Sequence, residues 1–194
     1  MSQQTLIDAI KQDHHEIKSY YKQYVDASGN ADAQERWARQ LTWEIARHSI
    51  GEELVVYPML ESSLGEKGTK IADHDRADHQ AVKERLYRLE SLNPGTPEHA
   101  DLLKDIMDHL NEHIKSEEGE DFPALESAIG KEASMAAASK FTRTKKFVPT
   151  RSHPSAPDKP PFETVVGLMA APLDKLKDAF SKFPTEEMIE QANM

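Results

Sequence analysis

The stretch H-S-I-G-E-E-L-V-V-Y-P-M-L, residues 48–60, returns 65 residues later as H-I-K-S-E-E-G-E-D-F-P-A-L, residues 113–125. Both copies read His, three residues, Glu-Glu, three residues, an aromatic, Pro, any residue, Leu. Working outward, D-H-H-E-I-K places His14 34 residues before His48, and D-H-Q-A-V-K places His79 34 residues before His113. One His-x3-Glu arises readily by chance. Two with matching flanks, each preceded at one offset by a matching His, do not. Four of the nine histidines recur in this way and five do not.

The copies sit in segments of helical period. Ile7, Ile10, His14, Ile17, Tyr21 and Tyr24 form one inward stripe, and Leu41, Ile45, His48, Glu52, Val55 and Met59 form a second. Ala72, Asp75, His79, Val82, Leu86 and Leu89 form a third, and Ile106, Leu110, His113 and Glu117 a fourth. Breaks fall at Ser28-Gly29-Asn30, at 65–68 and at 93–97, where Gly and Pro cluster. Short connections between four long helices predict an antiparallel up-down-up-down bundle, an all-α fold, over residues 1–140. Pro58 and Pro123 occupy the same point of each copy and are expected to kink or end their helices.

His at i and Glu at i+4 share a helix face. His48 with Glu52, and His113 with Glu117, therefore each offer two donors from one side of a site. His14 and His79 add imidazoles from the other two helices. Four His and two Glu from four directions suit iron, manganese or zinc better than calcium or magnesium. Two carboxylates able to bridge, shared among imidazoles in a repeated chain, point to two ions. The pattern is not the Glu-x-x-His of ferritin-like bundles, and no H-E-x-x-H is present to indicate a zinc protease.

Other polar residues have lesser expected parts. His109 and its repeat counterpart Glu44, one turn before His113 and His48, are candidates for orienting a ligand imidazole. Glu53 and Glu118 follow the paired glutamates by one residue and are expected beyond the ligands or at the surface. Asp13 and Asp78 are expected as surface charges, Tyr21 as core, and His15, His99 and His153 as solvent-facing.

The rest of the composition narrows the class. A net charge of −10 argues against nucleic acid, and the absence of cysteine excludes disulfides and thiolate metal sites. A polar N-terminus without signal-peptide character, and no long apolar run, indicate a cytoplasmic protein that makes no membrane contact. Residues 141–161 are proline-rich and read as a linker. Residues 162–194 carry Val165, Leu168, Met169, Leu173, Leu176, Ala179, Phe180 and Phe183, a short amphipathic helix. It is expected to pack on the bundle or on a second subunit, which would make a homodimer.

His14-His15-Glu16, His48-x3-Glu52, His79 and His113-x3-Glu117 resemble the hemerythrin-like HHE cation-binding family over about residues 5–129. The stretch V-P-T-R-S-H-P-S-A-P is similar to the extension of fungal and bacterial members. The resemblance implies an oxo- or hydroxo-bridged di-iron centre with His14, His48, His79 and His113 as terminal ligands and Glu52 and Glu117 as bridges. Zinc or manganese are the other metals the donor set admits. The chain departs from the family's marine oxygen carriers, which place a second His four residues before the third-helix ligand. Here that residue is Asp75. His74 lies five residues before His79, about 140° round a regular helix, and would reach the site only through a bulge. The carriers' fourth helix bears His-x4-Asp, where this chain has His-x3-Glu. Asp75 or water would complete the shell, leaving a position open. The expected function is a non-haem di-iron protein that binds or reacts with O2, hydrogen peroxide or nitric oxide. The alternatives are iron buffering or sensing without turnover, and a di-iron oxidase acting on an organic substrate.

Overall fold

The computed structural model describes residues 4–157, 159 and 162–193, and among them it is all helix, with no strand. The order is α1 (Leu6–Asp26), α2 (Ala31–Leu64), α3 (Glu66–Leu89) and α4 (Pro97–Ser116). A π-helical turn (Glu117–Asp121) then leads into α5 (Phe122–Thr144), followed by α6 (Phe162–Asp178) and α7 (Glu186–Ala192). The starts follow local chemistry. Thr5 and Asp8 form a capping box on α1, the Asn30 side chain caps α2, and Thr96 caps α4 with Pro97 in its first turn.

Two apolar clusters set the topology. One holds Ile17, Tyr24, Leu41, Leu86, Leu103 and Ile106; the other holds Leu6, Ile10, Val55, Leu60, Ala72 and Phe122. Each of the first three helices, and α4 with its continuation into α5, passes through both clusters, and successive helices meet them in opposite order. That is an antiparallel up-down-up-down bundle. Between the clusters, at mid-height on these four helices, lies the layer of repeated His and Glu residues.

Two glycines make the α2–α3 corner. Gly65 has φ 58° and closes the turn alone. At Gly68 a Cβ would stand 1.9 Å from the Leu60 carbonyl oxygen, so only glycine lets the two backbones cross there.

The two prolines behave differently. α2 runs through Pro58 to Leu64. The other helix widens into the π turn, in which the Phe122 N–H reaches the Glu117 carbonyl, and Pro123, which has no N–H, sits in the first turn of α5. Within α5, Gly130 (φ 77°) introduces a kink. Beyond it, Ala137, Ala138 and Phe141 join the second apolar cluster. The Ser134 hydroxyl accepts the Leu6 N–H at the start of α1.

The chain after α5 folds back onto the bundle. α5 itself ends at Thr144, four residues past the expected boundary at 140. Val148, Thr150, Arg151 and Ser152 are buried, so this proline-rich stretch is a packed strap. Ser152 donates to the Lys83 carbonyl, and Arg151 reaches Glu90, Asp178 and Ser181. α6 is held by a polar anchor: Asp174 accepts the N–H groups of Thr150 and Arg151 and pairs with His153. Met169, Leu173, Leu176 and Phe180 are exposed on the single chain, so this stripe does not pack on its own bundle. The Asp174 anchor turns that side of the helix outward. The side chains of Val165 and Leu168 lie outside the described residues. α7 places Met188, Ile189 and Ala192 against the first cluster.

Candidate metal centre

The six repeated residues converge. His14, His48, His79, His113, Glu52 and Glu117 are each at most 3% exposed. His48 Nε2 and His79 Nε2 lie 3.3 and 3.4 Å from Glu52 Oε2. His113 Nε2 lies 3.2 Å from Glu117 Oε1, and His14 Nε2 3.5 Å from Glu117 Oε2. The imidazoles pair across neighbouring helices, with ring centroids 4.8 Å apart for His14–His48 and again for His79–His113.

Both carboxylate oxygens of Glu52 and of Glu117, His14 Nε2, both His113 nitrogens and Asp75 Oδ2 are buried without a hydrogen-bond partner. Each such group costs about 1–3 kcal/mol when left unmade. Ligands on one ion at about 2.1 Å stand about 3–3.5 Å apart, which is the spacing seen here. Two donor groups able to hold a cation result: Glu52, His79, His113 and Glu117, and His14, His48 and Glu52, sharing Glu52. The residues present therefore fit a pair of ions bound by nitrogen and oxygen.

Outside this layer, each imidazole meets a carboxylate through Nδ1. His48 donates to Asp13 (3.2 Å), and His79 to Glu53 (3.1 Å). His14 Nδ1 is 2.7 Å from Glu118, and His113 Nδ1 is 3.4 Å from Asp78. The hydrogen bonds at His14, His48 and His79 fix ring orientation with Nε2 turned inward, whereas the Asp78 contact of His113 is a charge contact outside hydrogen-bond geometry. Asp13, expected at the surface, is buried because α5 covers it, and its oxygen also accepts from the Lys145 ammonium. Asp78 keeps a partly exposed side chain that faces His109 and His74 as well as His113. Glu53 is fully buried and salt-bridged to Lys83 at 2.6 Å, whereas Glu118 is 29% exposed.

The four further candidates separate. Asp75 is buried 3.9 Å from His113, and burial together with the charge of Glu117 pushes its carboxyl up to about 7. His74 is 69% exposed and stays outside the layer, as its helical phase requires. His109 Nε2 lies 3.5 Å from Asp78, and Glu44 pairs with Lys145 and Arg47. Neither touches a converging imidazole. Tyr21 is half-buried against the first cluster, with Tyr20 the inward residue. His15 is exposed, and His153 is half-buried on Asp174. His99, expected in solvent, is buried and hydrogen-bonded to the Tyr24 hydroxyl at 2.9 Å, because the first turn of α4 packs under α1.

Tyr57 and Lys145 went unnoticed in the sequence. Tyr57 is fully buried, with its hydroxyl 3.2 Å from His79 Nε2, and burial holds that phenol well above its usual range. The signal was present, since the repeated aromatic is Tyr in one copy and Phe122 in the other.

Electrostatically the layer is divided. Burial, and then Glu117, raise the Glu52 carboxyl well above the usual range. Burial works the same way on Glu117, but the His113 and His14 rings outweigh it and hold that carboxyl low. His113 is raised by Glu117 and Asp78 against its own burial, while burial lowers His48 to about 4.

No solved structure matches the chain. It is 50% identical over 177 residues, 91% of its own length and 87% of the relative's, to an uncharacterized hemerythrin-like protein of Schizosaccharomyces pombe. It is 24% identical over 144 residues to a protein of Nostoc sp. named a DNA nickase, matching 74% of this chain but 40% of that one. The family model for the hemerythrin HHE cation binding domain matches residues 5–125, which span all six converging residues. With that match over most of its length, the chain belongs to the hemerythrin HHE cation-binding family.

Proposed function

We propose that the chain binds two iron ions and binds or reacts with a small oxidant: O2, hydrogen peroxide or nitric oxide. In this reading His14 and His48 would hold one ion and His79 and His113 the other, with Glu52 and Glu117 as the carboxylates shared between them. The observation that carries the reading is the set of buried, unpartnered donor atoms on Glu52, Glu117, His14 and His113, spaced as ligands of shared ions. When bound, a ferrous pair supplies two electrons to the oxidant. The chain's part is to orient the rings through Asp13, Glu53, Asp78 and Glu118 and to exclude water with the apolar clusters above and below. Asp75, beside His113, offers a carboxyl group where a ligand histidine is missing, and Tyr57 offers a hydroxyl beside His79.

Elemental analysis of protein purified without added metal, with an optical spectrum of the same sample, tests this. About two irons per chain and near-ultraviolet bands that change on adding azide are expected. One zinc, or no transition metal with a featureless spectrum, would overturn it.

The same unpartnered atoms support a second reading, iron buffering or sensing without turnover, because metal binding would then stabilise the bundle. Fast reaction of reduced protein with O2 or peroxide separates the two. An organic substrate finds less support: the groove between α2, α3 and residues 149–157 is lined by Glu53 and Lys83 but by none of the six converging residues.

A further inference from the structure

Lys145 stands beyond the residues matched by the family model, yet it is built into the surroundings of His48. It is 7% exposed, and its ammonium donates to Asp13 Oδ2 and, at 2.5 Å, to Glu44 Oε1. Asp13 Oδ2 is the atom that accepts from His48 Nδ1. The backbone of Lys145 is held as well: Arg47, stacked 3.6 Å over Trp43, donates to its carbonyl. One turn earlier, Phe141 packs where Gly51 leaves room, and a Cβ on Gly51 would stand 2.8 Å from that ring. Asp13, Glu16 and Glu44 bring carboxylate oxygens within 4.8 Å of one another. Lys145 joins Asp13 to Glu44, while Arg47 reaches only Glu44, at 3.5 Å. Without Lys145 the repulsion among the three acids would drive Asp13 off His48.

We infer that Lys145 is a positioning residue for the metal centre, fixing His48 through Asp13 with the ring proton on Nδ1 and the Nε2 lone pair toward Glu52. The inference rests on the metal-binding reading above. It makes the end of α5 part of the centre, although no residue there could itself be a ligand.

The test uses full-length Lys145→Met, Lys145→Arg, Asp13→Asn and the Met/Asn double variant, with exposed Lys140→Met as control. Metal affinity is measured by chelator competition at a temperature where circular dichroism shows every variant folded. Lys145→Met should lower affinity about 10–100-fold, Lys145→Arg should restore most of it, and the double variant should lose no more than Asp13→Asn. Unchanged affinity, or additive losses, would overturn the inference. Two-bond proton–nitrogen spectra of the His48 ring in the metal-free protein give an independent readout. A mixed tautomer in Lys145→Met, against an Nδ1-protonated ring in the unsubstituted chain, supports it, and identical rings overturn it. If the unsubstituted chain binds no transition metal, the metal reading fails, and the ring spectra still decide the role of Lys145.

Discussion

Around His48 the outer ring nitrogen meets Asp13, Asp13 meets Lys145, and Lys145 meets Glu44. Around His113, the same position one repeat later, the ring nitrogen meets Asp78, which meets His109 and His74. Glu44 and His109 are repeat counterparts, so an acid in one copy is replaced by a base in the other. The first arrangement needs an outside cation between two acids; the second pairs its acid with histidines directly. Glu53 and Glu118 repeat the contrast, one buried on Lys83 and one open to water. The inward atoms of the two copies are alike because both would face the same ions. The outward atoms differ because α5 and the strap cover the α2 side of the bundle and leave the α4 side to solvent. An internal repeat thus fixes what faces the centre, and what is packed around it sets the charge balance of each half.

The strongest test of the inward likeness is removal of the shared carboxylates. Glu52→Ala and Glu117→Ala should each reduce bound metal to less than half, read by elemental analysis. Full metal content in both would break the bridging assignment, and loss in only one would mean the halves differ at the centre itself.

Acid titration of the metal-free protein tests the outward difference. Burial, opposed by Asp13 and reinforced by His14, holds His48 at about 4, so the unfolded chain takes up its proton first and stability falls from about pH 6.5 toward pH 4. Burial would raise Glu53, but Lys83 and His79 hold it at about 2. Its contribution, on the order of 3 kcal/mol, is present above about pH 4.5 and lost as the pH falls toward 2. His113 has the opposite sign: raised by Glu117 and Asp78 against burial, it stabilises below about pH 6.5 and loses that contribution as pH rises through its folded value. Ring chemical shifts followed by NMR should show His48 neutral and His113 charged at pH 6; equal behaviour would break the comparison.

Neutralising the outer acids should give a graded result. Glu53→Gln is expected to cost about 10–100-fold in metal affinity, and Glu118→Gln less than about tenfold, by chelator competition. A reversed order would sink the distinction between covered and open sides. The mildest change, Tyr57→Phe, gives the first copy the aromatic of the second. It should cost about 1 kcal/mol in chemical denaturation of the metal-free protein, the worth of one buried hydrogen bond.

The helices and the inward layer were legible because both rest on local rules. His14, His48, Glu52, His79, His113 and Glu117 lie on apolar stripes of helical period, and the repeat singled them out. Asp13 was not legible, since its burial depends on α5, whose covering residue Lys145 lies far along the chain. His99 was missed for the same reason: its partner Tyr24 is brought to it by tertiary packing. The π turn left no mark in the repeat, whose spacing is equal in both copies. The side of α6 that meets the bundle was not legible either, because Asp174 is anchored by two backbone N–H groups and His153 in the strap, contacts that no local pattern announces.

The π turn also has a consequence in time. Residues 117–121 hold Glu117 in a π turn, a form rarely sustained beyond a single turn, whereas Glu52 sits within continuous α-helix. Local opening costs least where the backbone ladder is weakest. The amide protons of 117–121 should therefore exchange faster than those around Glu52, and the residence time of a bound ion would be governed by how often these five residues unwind.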